Sequence, residues 1–309
     1  MTFLSLGRGL SLSRRGRGSL SLVLTCFVVL IVFYTFDTTF AEEQPTQDSP
    51  PASNTASPKV RLIYEPTRNP SLGKVQTYLK SHKAFEEEDL RKFQAKFSSP
   101  FSLTVKIEEC GVDAARAALY ISKMQEIRLC LEAIAYSASV VSREVKSQDL
   151  FRQQVFWLTD FFFFHELGHA LIDILQLPVL GREEDAADDF AILTLLEEKK
   201  AGPKAVLTVA QYFRLEGTQA NADGEVHWWD EHAPDLARSY NMLCLAYGKD
   251  PEEYQALVGK KKRLLPKTRA TRCAAEYQQK RQSWITLVQP HVKQTEITKE
   301  NSKTQVGDP

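Results

Sequence analysis

Residues 161–191 read FFFFHELGHALIDILQLPVLGREEDAADDFA, and this stretch decides how the chain folds. Aromatic and aliphatic residues surround HELGH on both sides, which predicts a buried helix over about 151–177 that ends at Pro178. A second helix, predicted over about 183–200, begins with a cluster of acidic residues. Because the connection between the two is short, we expect the second helix to fold back beside the first.

The two histidines of HELGH have the spacing of metal ligands. His165 and His169 are four residues apart, so both imidazole rings project from one face of the predicted helix. That spacing allows both rings to bind one zinc ion, and Glu166 is placed to act as general base on a water molecule. Ionisable groups in so apolar a helix are costly to bury without a partner, which zinc provides. The alternative, a surface helix with solvated histidines, fits the aromatic flanks poorly.

A catalytic zinc site has three protein ligands and an open position, so a third ligand is expected. We predict Glu184 in preference to Glu183 or Asp185, all three at the start of the second helix. Asp188, one turn after Glu184, is predicted to accept a hydrogen bond from the nitrogen of a zinc-bound histidine that faces away from the metal. The alternative is that these acids only interact with the dipole of the helix N-terminus.

The choice of Glu184 depends on a predicted buried face of the second helix. The members of that face are Ala187, Phe190, Ala191 and Thr194. Glu184 and Asp188 lie at its edge, within reach of the first helix. Asp185, Asp189 and Ile192 are expected to be rotated away from it.

Candidates for stabilising a tetrahedral oxyanion follow in the segment 227–238. His232 is the first candidate and Arg238 the second, while His227 is weaker. A packing or helix-capping role for His232 is an equally weighted alternative. Trp228 and Trp229 are expected to lie in the core or in the wall of a cleft.

The order of the elements predicts the α+β class, because strands precede the HELGH helix and helices follow it. The predicted strands cover 59–65, 101–108, 119–122 and 126–133, with one helix over 75–97. The later helices are predicted over 204–216, 234–247, 251–258 and 268–288, with Gly217 and Gly248 as end signals. The expected architecture is a small mixed sheet followed by a mainly helical part, with the HELGH helix between them.

The N-terminus has the features of an export signal. A basic region precedes the apolar run Leu20–Phe36, and small residues follow up to Ala41, which predicts a signal peptide over 1–41. The alternative is an uncleaved anchor, which would be the chain's only contact with a membrane. The protein is therefore expected to be exported, either to the periplasm or to the medium. We expect a polar linker over 42–58, one domain over 59–290 and a flexible tail over 291–309.

Four cysteines remain after the predicted signal: Cys110, Cys130, Cys244 and Cys273. An even number in an exported chain favours disulfides over buried free thiols. Because the first two fall in neighbouring predicted strands and the last two in neighbouring predicted helices, we predict the local pairs Cys110–Cys130 and Cys244–Cys273. Their wide spacing does not match a zinc site.

Charge and composition exclude nucleic acid as a partner. The chain has 39 basic and 39 acidic residues, so it lacks the positive field that attracts phosphate backbones. The short run Lys260–Arg263 is interpreted as a solvated segment. With 43% hydrophobic and 25% charged residues, the composition is that of an ordinary globular protein.

Three stretches resemble an uncharacterised bacterial family of metallopeptidases. They are HELGHALIDILQLPVLGREEDAAD over 165–188, WDEHAPDLARSYNMLCLAYG over 229–248, and Cys273, and the likeness covers about 60–285. The HExxH and ExxxD pattern is that of gluzincins. The resemblance implies a zincin-like fold, zinc-dependent endopeptidase activity on a peptide or protein substrate, and alignment of that substrate by the strand 126–133. It does not define the substrate.

Two other functions are compatible with the sequence. One is a catalytically inactive zincin-fold protein, secreted or membrane-anchored, that binds peptides or partners. Glu166 argues against it, because a purely structural zinc site has no need of a base. The other is a metal-free scaffold held in the membrane by an uncleaved Leu20–Phe36 segment.

Overall fold

The computed structural model describes residues 59–82, 85–111, 118–143, 145, 147–197, 202–259 and 264–293. The predicted signal peptide, the predicted linker, the Lys260–Arg263 run and residues 294–309 lie outside the described residues. All described residues belong to one compact unit, Ala56–Pro309. Within them, no helix has both the length and the apolar character needed to cross a bilayer.

A four-stranded mixed sheet forms the first part of the fold. Its strands are β1 (Val60–Tyr64), β2 (Leu103–Glu108), β3 (Ala118–Ile121) and β4 (Glu126–Cys130), in the order β1-β2-β4-β3. β1, β2 and β4 are parallel, whereas β3 pairs antiparallel with β4 at one edge. The strand that we expected to align a substrate, 126–133, is therefore internal, and β3 is the edge strand beside it.

Two helices lie between β1 and β2, so the prediction of one helix over 75–97 is wrong. They are α1 (Pro70–Ser81) and α2 (Glu87–Gln94). Asn69 starts α1, because its side-chain oxygen accepts the Ser71 amide at 2.9 Å and Pro70 occupies the first helical position. At the other end, the His82 ring contacts the Tyr78 carbonyl at 3.0 Å.

The prediction of a strand up to Ala133 is also wrong. The chain turns directly from β4 into α3 (Leu131–Ser142), a helix that the sequence analysis missed. No glycine or proline separates strand from helix in EIRLCLEAIAYSASVV, so the usual boundary signal is absent. Glu132 holds the end of β2 to this helix, since its carboxylate accepts the amides of Cys110 at 3.0 Å and Gly111 at 2.8 Å.

The HELGH helix, α4 (Gln148–Ile174), lies between the sheet and the other helices. It contacts β3, β4 and α3, and it also contacts the helices that follow it, so it is buried along most of its length. The later helices are α5 (Glu183–Glu197), α6 (Gly202–Asp223), α7 (Asp235–Lys249) and α8 (Lys267–Val288). The helix predicted over 251–258 is wrong, because only a 3-10 turn forms there, at Gln255–Leu257. The α+β class is confirmed.

Two glycines expected to end helices lie inside them instead. α6 continues through Gly217, and α7 continues through Gly248. A Cβ atom at Gly217 would lie 2.6 Å from the Leu236 nitrogen, and one at Gly248 would lie 2.2 Å from the Cys273 carbonyl oxygen. These are the points where α6 crosses α7 and α7 crosses α8. The missing side chains permit close helix crossings. The end predicted at Gly217 is wrong, whereas α7 ends at Lys249, one residue after Gly248.

α5 is buried on more than one side. Ala187 and Ala191 are fully buried as predicted, but Ile192, which was expected to point away, is fully buried too. Asp189 also points inward, where Lys280 of α8 contacts its carboxylate at 2.5 Å. α5 touches α4 on one face and α6, α7 and α8 on others, so the prediction of a single buried face was wrong.

Two disulfides hold the fold at separate places. Cys110 is bonded to Cys130 and Cys244 to Cys273, the two local pairs expected from the sequence. The first joins the end of β2 to β4, and the second joins α7 to α8 beside the Gly248 crossing. Such bonds are typical of proteins that fold in an oxidising environment.

We predict that Gly248→Ala lowers the free energy of unfolding by about 2 kcal/mol or more. The new methyl group would meet the backbone of Cys273 at 2.2 Å, and backbone cannot rotate away as a side chain can. Urea denaturation with the disulfides intact measures the change. Gly73→Ala in α1 is the control, since its Cβ would meet only the Thr67 methyl carbon, at 3.3 Å. Unchanged stability in Gly248→Ala would contradict the close crossing.

Candidate metal centre

Gly168 sets the distance between the two helices that carry the candidate ligands. A Cβ atom there would lie 3.1 Å from the Ala187 Cα, so α5 passes α4 almost in backbone contact. The chain reverses direction over a few residues, with left-handed backbone at Gln176 and Gly181. The first turn of α5 is thereby placed against the HELGH segment.

Three side chains meet at this crossing. Glu184 Oε2 lies 3.0 Å from His165 Nε2 and 3.3 Å from His169 Nε2, and the two imidazole nitrogens are 3.3 Å apart. Atoms bound tetrahedrally at roughly 2.0–2.1 Å from one ion are separated by about 3.3 Å. Two imidazoles and a carboxylate are also a common donor set for catalytic zinc. The three residues therefore fit such an ion in both chemistry and spacing.

The other nitrogen of each histidine ring is held by a carboxylate. His165 Nδ1 lies 2.9 Å from Asp188 Oδ1, and His169 Nδ1 lies 2.7 Å from Glu183 Oε1. These contacts direct both Nε2 atoms towards Glu184 and fix the orientation of the rings. Asp188, predicted to contact a histidine nitrogen that faces away from the metal, lies at Nδ1 of His165. Glu183, which was considered from the sequence as a ligand, instead faces the far nitrogen of His169.

Arg238 holds Asp188 in place. Its guanidinium donates from Nε to Asp188 Oδ2 at 2.8 Å and from Nη2 to Oδ1 at 2.7 Å, and it lies 4.0 Å from the centre of the Phe213 ring. Burial lowers the pKa of Arg238, but Asp188, together with the charges of Asp235 and Glu184, outweighs burial, so the pKa is raised. Both of these hydrogen bonds are directed at Asp188, so Arg238 is joined to His165 through that carboxylate.

His232 approaches the centre from the loop before α7. Its Nε2 lies 2.9 Å from Glu184 Oε2, and its ring stacks against that of His165 at 6.1 Å. Asp230 holds the other side, with Oδ1 at 3.1 Å from His232 Nδ1. The ring is partly exposed to the cleft and is not part of the core. Glu231, Glu184 and His232 also form a second group compact enough to hold a metal ion.

Glu166 is buried next to these groups, with 6% of its surface exposed, and it lines the same cleft. Burial raises the pKa of its carboxyl group, and the nearby Glu184 adds to this rise. The imidazoles of His165 and His169, and a backbone hydrogen bond from Tyr120, act in the opposite direction. A buried carboxylate with a raised pKa is well suited to accept a proton.

The electrostatics of the centre favour positive charge. Burial alone would lower the pKa of His165, but hydrogen bonds to Asp188 and Glu184 raise it to about 9. Burial alone would raise the pKa of Glu184, yet the three surrounding histidines hold it well below its ordinary range. The carboxylates therefore outweigh the cost of burial and stabilise a cation among the rings, whether proton or metal ion.

A cleft of about 1520 Å³ opens beside the centre. β3 forms one wall and is tied to α4, because the Tyr120 and Ser122 hydroxyls donate to Asp173 at 2.8 and 2.7 Å. Trp228 lines the cleft and is 73% exposed, while Trp229 is 81% exposed and stacks on His227 at 4.9 Å. The expectation of core packing is wrong for both tryptophans, and Trp228 belongs to the cleft wall.

Three contacts of the metal centre were not predicted from the sequence. They involve Glu183 at His169, Asp230 at His232 and the backbone of Tyr120 at Glu166. An acid two residues before His232 was a local signal that could have been found. The other two contacts depend on how α5 and β3 lie against α4, which no local pattern specifies.

Comparison with known proteins gives one match. A family model described as "Putative metallopeptidase" matches residues 64–288, which include every residue of the centre. No curated protein matches the chain, and no solved structure does.

We predict that Glu184→Gln weakens zinc binding by about 100-fold or more, because a neutral amide replaces the only anionic donor of the set. Glu183→Gln is expected to weaken it by about tenfold, since Glu183 orients a ring without facing the ion. Asp185→Asn, in the same helical turn, is the control and should leave binding unchanged. Chelator competition and metal analysis after dialysis measure all three. Unchanged affinity in Glu184→Gln would remove Glu184 from the ligand set.

Proposed function

The chain belongs to the metallopeptidase family whose model spans residues 64–288, and we propose that it hydrolyses peptide bonds with zinc bound by His165, His169 and Glu184. The observation that carries this proposal is the meeting of those three ligand atoms beside Glu166, at the edge of an open cleft. When bound, a zinc ion acts as a Lewis acid that lowers the pKa of a water molecule and polarises a carbonyl group. The remaining steps belong to side chains of the protein.

Glu166 is proposed as the general base. Glu166 belongs to the same helix as the two histidines. The backbone of that helix therefore positions the base as well as the two ligands. In the proposed reaction it accepts a proton from the attacking water at a carboxylate oxygen and returns that proton to the departing amine. The raised pKa of the buried group makes the transfer easier, because the protonated form is stabilised.

His232 is proposed to stabilise the negative charge that develops on the carbonyl oxygen of the substrate. Its hydrogen bond to Glu184 raises the pKa of the ring above its ordinary value, burial opposes this, and Asp230 adds to the rise. The ring therefore tends to carry a proton, which it can donate from Nε2. Arg238 contributes indirectly, since it fixes Asp188 and through it the ring of His165.

β3 is proposed to align an extended peptide. It is an edge strand among the described residues, so one of its sides has no ladder partner in that part of the chain, and its residues Ala118, Leu119 and Tyr120 line the cleft. The HELGH helix packs directly beneath it. A mixed sheet with an antiparallel edge strand above such a helix is the arrangement that we propose as zincin-like.

The place of action is proposed to be outside the cytoplasm. The two disulfides indicate an oxidising environment. The predicted export signal over 1–41 agrees with this location. We therefore propose an exported zinc endopeptidase.

We predict that Glu166→Gln lowers kcat/KM for casein or peptide cleavage by about 10³-fold while zinc remains bound. The amide keeps the size of the side chain but cannot accept the proton. Glu197→Gln at the exposed end of α5 is the matched control and should cleave like the wild type. Metal analysis on each protein separates loss of the base from loss of zinc. Full cleavage by zinc-loaded Glu166→Gln would contradict the mechanism.

We predict that His232→Ala lowers kcat by about 10²-fold or more, with KM and zinc affinity close to wild type, because it removes a donor used in the transition state. Asp230→Asn should cause a smaller loss of about tenfold, since the ring stays but is less firmly oriented. Steady-state kinetics and metal titration on both variants provide the test. Loss of zinc from His232→Ala would identify His232 as a ligand instead.

A further inference from the structure

A second group of carboxylates lies in the cleft, away from the metal centre. Gly217 allows the first turn of α7 to rest on α6, where a Cβ atom would lie 3.0 Å from the Asp235 Cβ. This crossing places Asp235 next to Glu216, the residue that precedes Gly217. Both side chains line the cleft.

Neither carboxylate has a cationic partner of its own. In the described part of the chain, no lysine or arginine lies within salt-bridge distance of Glu216 or Asp235; Glu216 accepts a hydrogen bond from the neutral Tyr136 hydroxyl at 2.8 Å. The guanidinium of Arg238 makes its salt bridge with Asp188, although its charge also acts on Asp235. Burial raises the pKa of Asp235, and the neighbouring Glu216 raises it further, as expected for two acids that repel each other, whereas the charges of Arg238 and His232 lower it.

Tyr212 provides an independent indication that a ligand binds here. It is only 9% exposed and lines the cleft one helical turn before Glu216. Among the described residues its hydroxyl has no hydrogen-bond partner, and the charges that act on it are those of Glu216, Asp235 and Arg238. A hydroxyl that opens to the cleft on an otherwise buried side chain can form a hydrogen bond with a group that enters the cleft.

This acidic pocket lies next to the reaction centre. The Tyr212 ring packs edge-on against Phe162 at 6.0 Å, and Phe162 is one turn before Glu166 on α4. On the other side, Asp235 is close enough to His232 for the two charges to interact. A residue near the scissile bond of a bound peptide can therefore reach the pocket.

We propose that Glu216, Asp235 and Tyr212 form a subsite for a cationic group of the peptide substrate, which deepens the function proposed above and rests on it. The group is an ammonium or guanidinium, from a Lys or Arg side chain or from a free N-terminus. The two carboxylates accept its hydrogen bonds, the phenol oxygen accepts another, and the Phe162 ring packs against an alkyl chain. Neither carboxylate belongs to a group of described ligands compact enough for a metal ion, which favours an organic cation.

The test compares three peptides that are identical except for charge. The first is N-acetylated with an internal lysine, the second is N-acetylated with norleucine in its place, and the third has norleucine and a free N-terminus. We expect the wild type to cleave a charged peptide with kcat/KM about tenfold or more above the uncharged one. Preference for the first peptide identifies a side chain as the ligand, and preference for the third identifies the terminal ammonium. Equal cleavage of all three overturns the proposal.

The double variant Glu216→Gln/Asp235→Asn should lose this preference and cleave the charged and uncharged peptides with equal kcat/KM. Tyr212→Phe, which removes only the hydroxyl, should reduce the preference by a few-fold. Asp223→Asn, an exposed acid at the end of the same helix, is the control and should keep the full preference. A double variant that retains the preference with a native circular-dichroism spectrum overturns the proposal.

Binding to zinc-loaded Glu166→Gln protein, measured by calorimetry, separates this proposal from the proposed function. The charged peptide should bind about tenfold more tightly than the uncharged one, and the added Glu216→Gln/Asp235→Asn changes should abolish the difference. If that difference appears but the wild type cleaves nothing, the subsite stands and the peptidase proposal fails. If the wild type cleaves all three peptides equally and the binding difference is absent, the subsite fails and the peptidase proposal stands.

Discussion

The near-backbone contact between α4 and α5 at Gly168 is the constraint on which the candidate site depends. No side chain separates the helices there, since a Cβ atom would lie 3.1 Å from the Ala187 Cα. Gly168 stands between His165 and His169 in sequence, and Glu184 is one turn before Ala187. The crossing therefore fixes how far the Glu184 carboxylate lies from both imidazoles. A site of this kind depends as much on a missing side chain as on the ligands themselves.

Burying so many charges requires support from a third helix. Asp188 would repel Glu184 if it faced the centre alone, but Arg238 of α7 neutralises it with two hydrogen bonds. The position of Arg238 depends in turn on α7, which the Gly248 crossing and the Cys244–Cys273 bond hold against α8. Distant packing is thus connected to the orientation of the His165 ring, so that part of the fold's stability serves to preorganise the site.

The sequence was informative where a feature depends on local spacing. The α+β class and the family follow from such patterns and are confirmed, and the periodicity of 161–191 correctly predicted two adjacent helices carrying the HELGH and Glu184 side chains. Prediction from the sequence failed where tertiary contacts determine the structure. Glycine is a typical end signal for a helix, but Gly217 and Gly248 lie where two helices cross. Helix α3 follows β4 with no glycine or proline between them. Ile192 is buried because α5 has neighbours on several faces, which no single helical stripe reveals.

The helix crossings at Gly168 and Gly217 both depend on a missing side chain, but they differ in how the nearby acidic groups are neutralised. Each lets the start of one helix approach its neighbour, and each brings at least one acidic side chain from that start against the neighbouring helix. At Gly168 the carboxylates meet imidazoles and the guanidinium of Arg238, so their charge is balanced within the chain. At Gly217 the Tyr136 hydroxyl donates to Glu216, and neither Glu216 nor Asp235 forms a salt bridge with another described residue. Because acids in a half-buried cleft repel each other, a cation on the molecule that the cleft binds would relieve this repulsion, which is the physical basis of the proposed subsite.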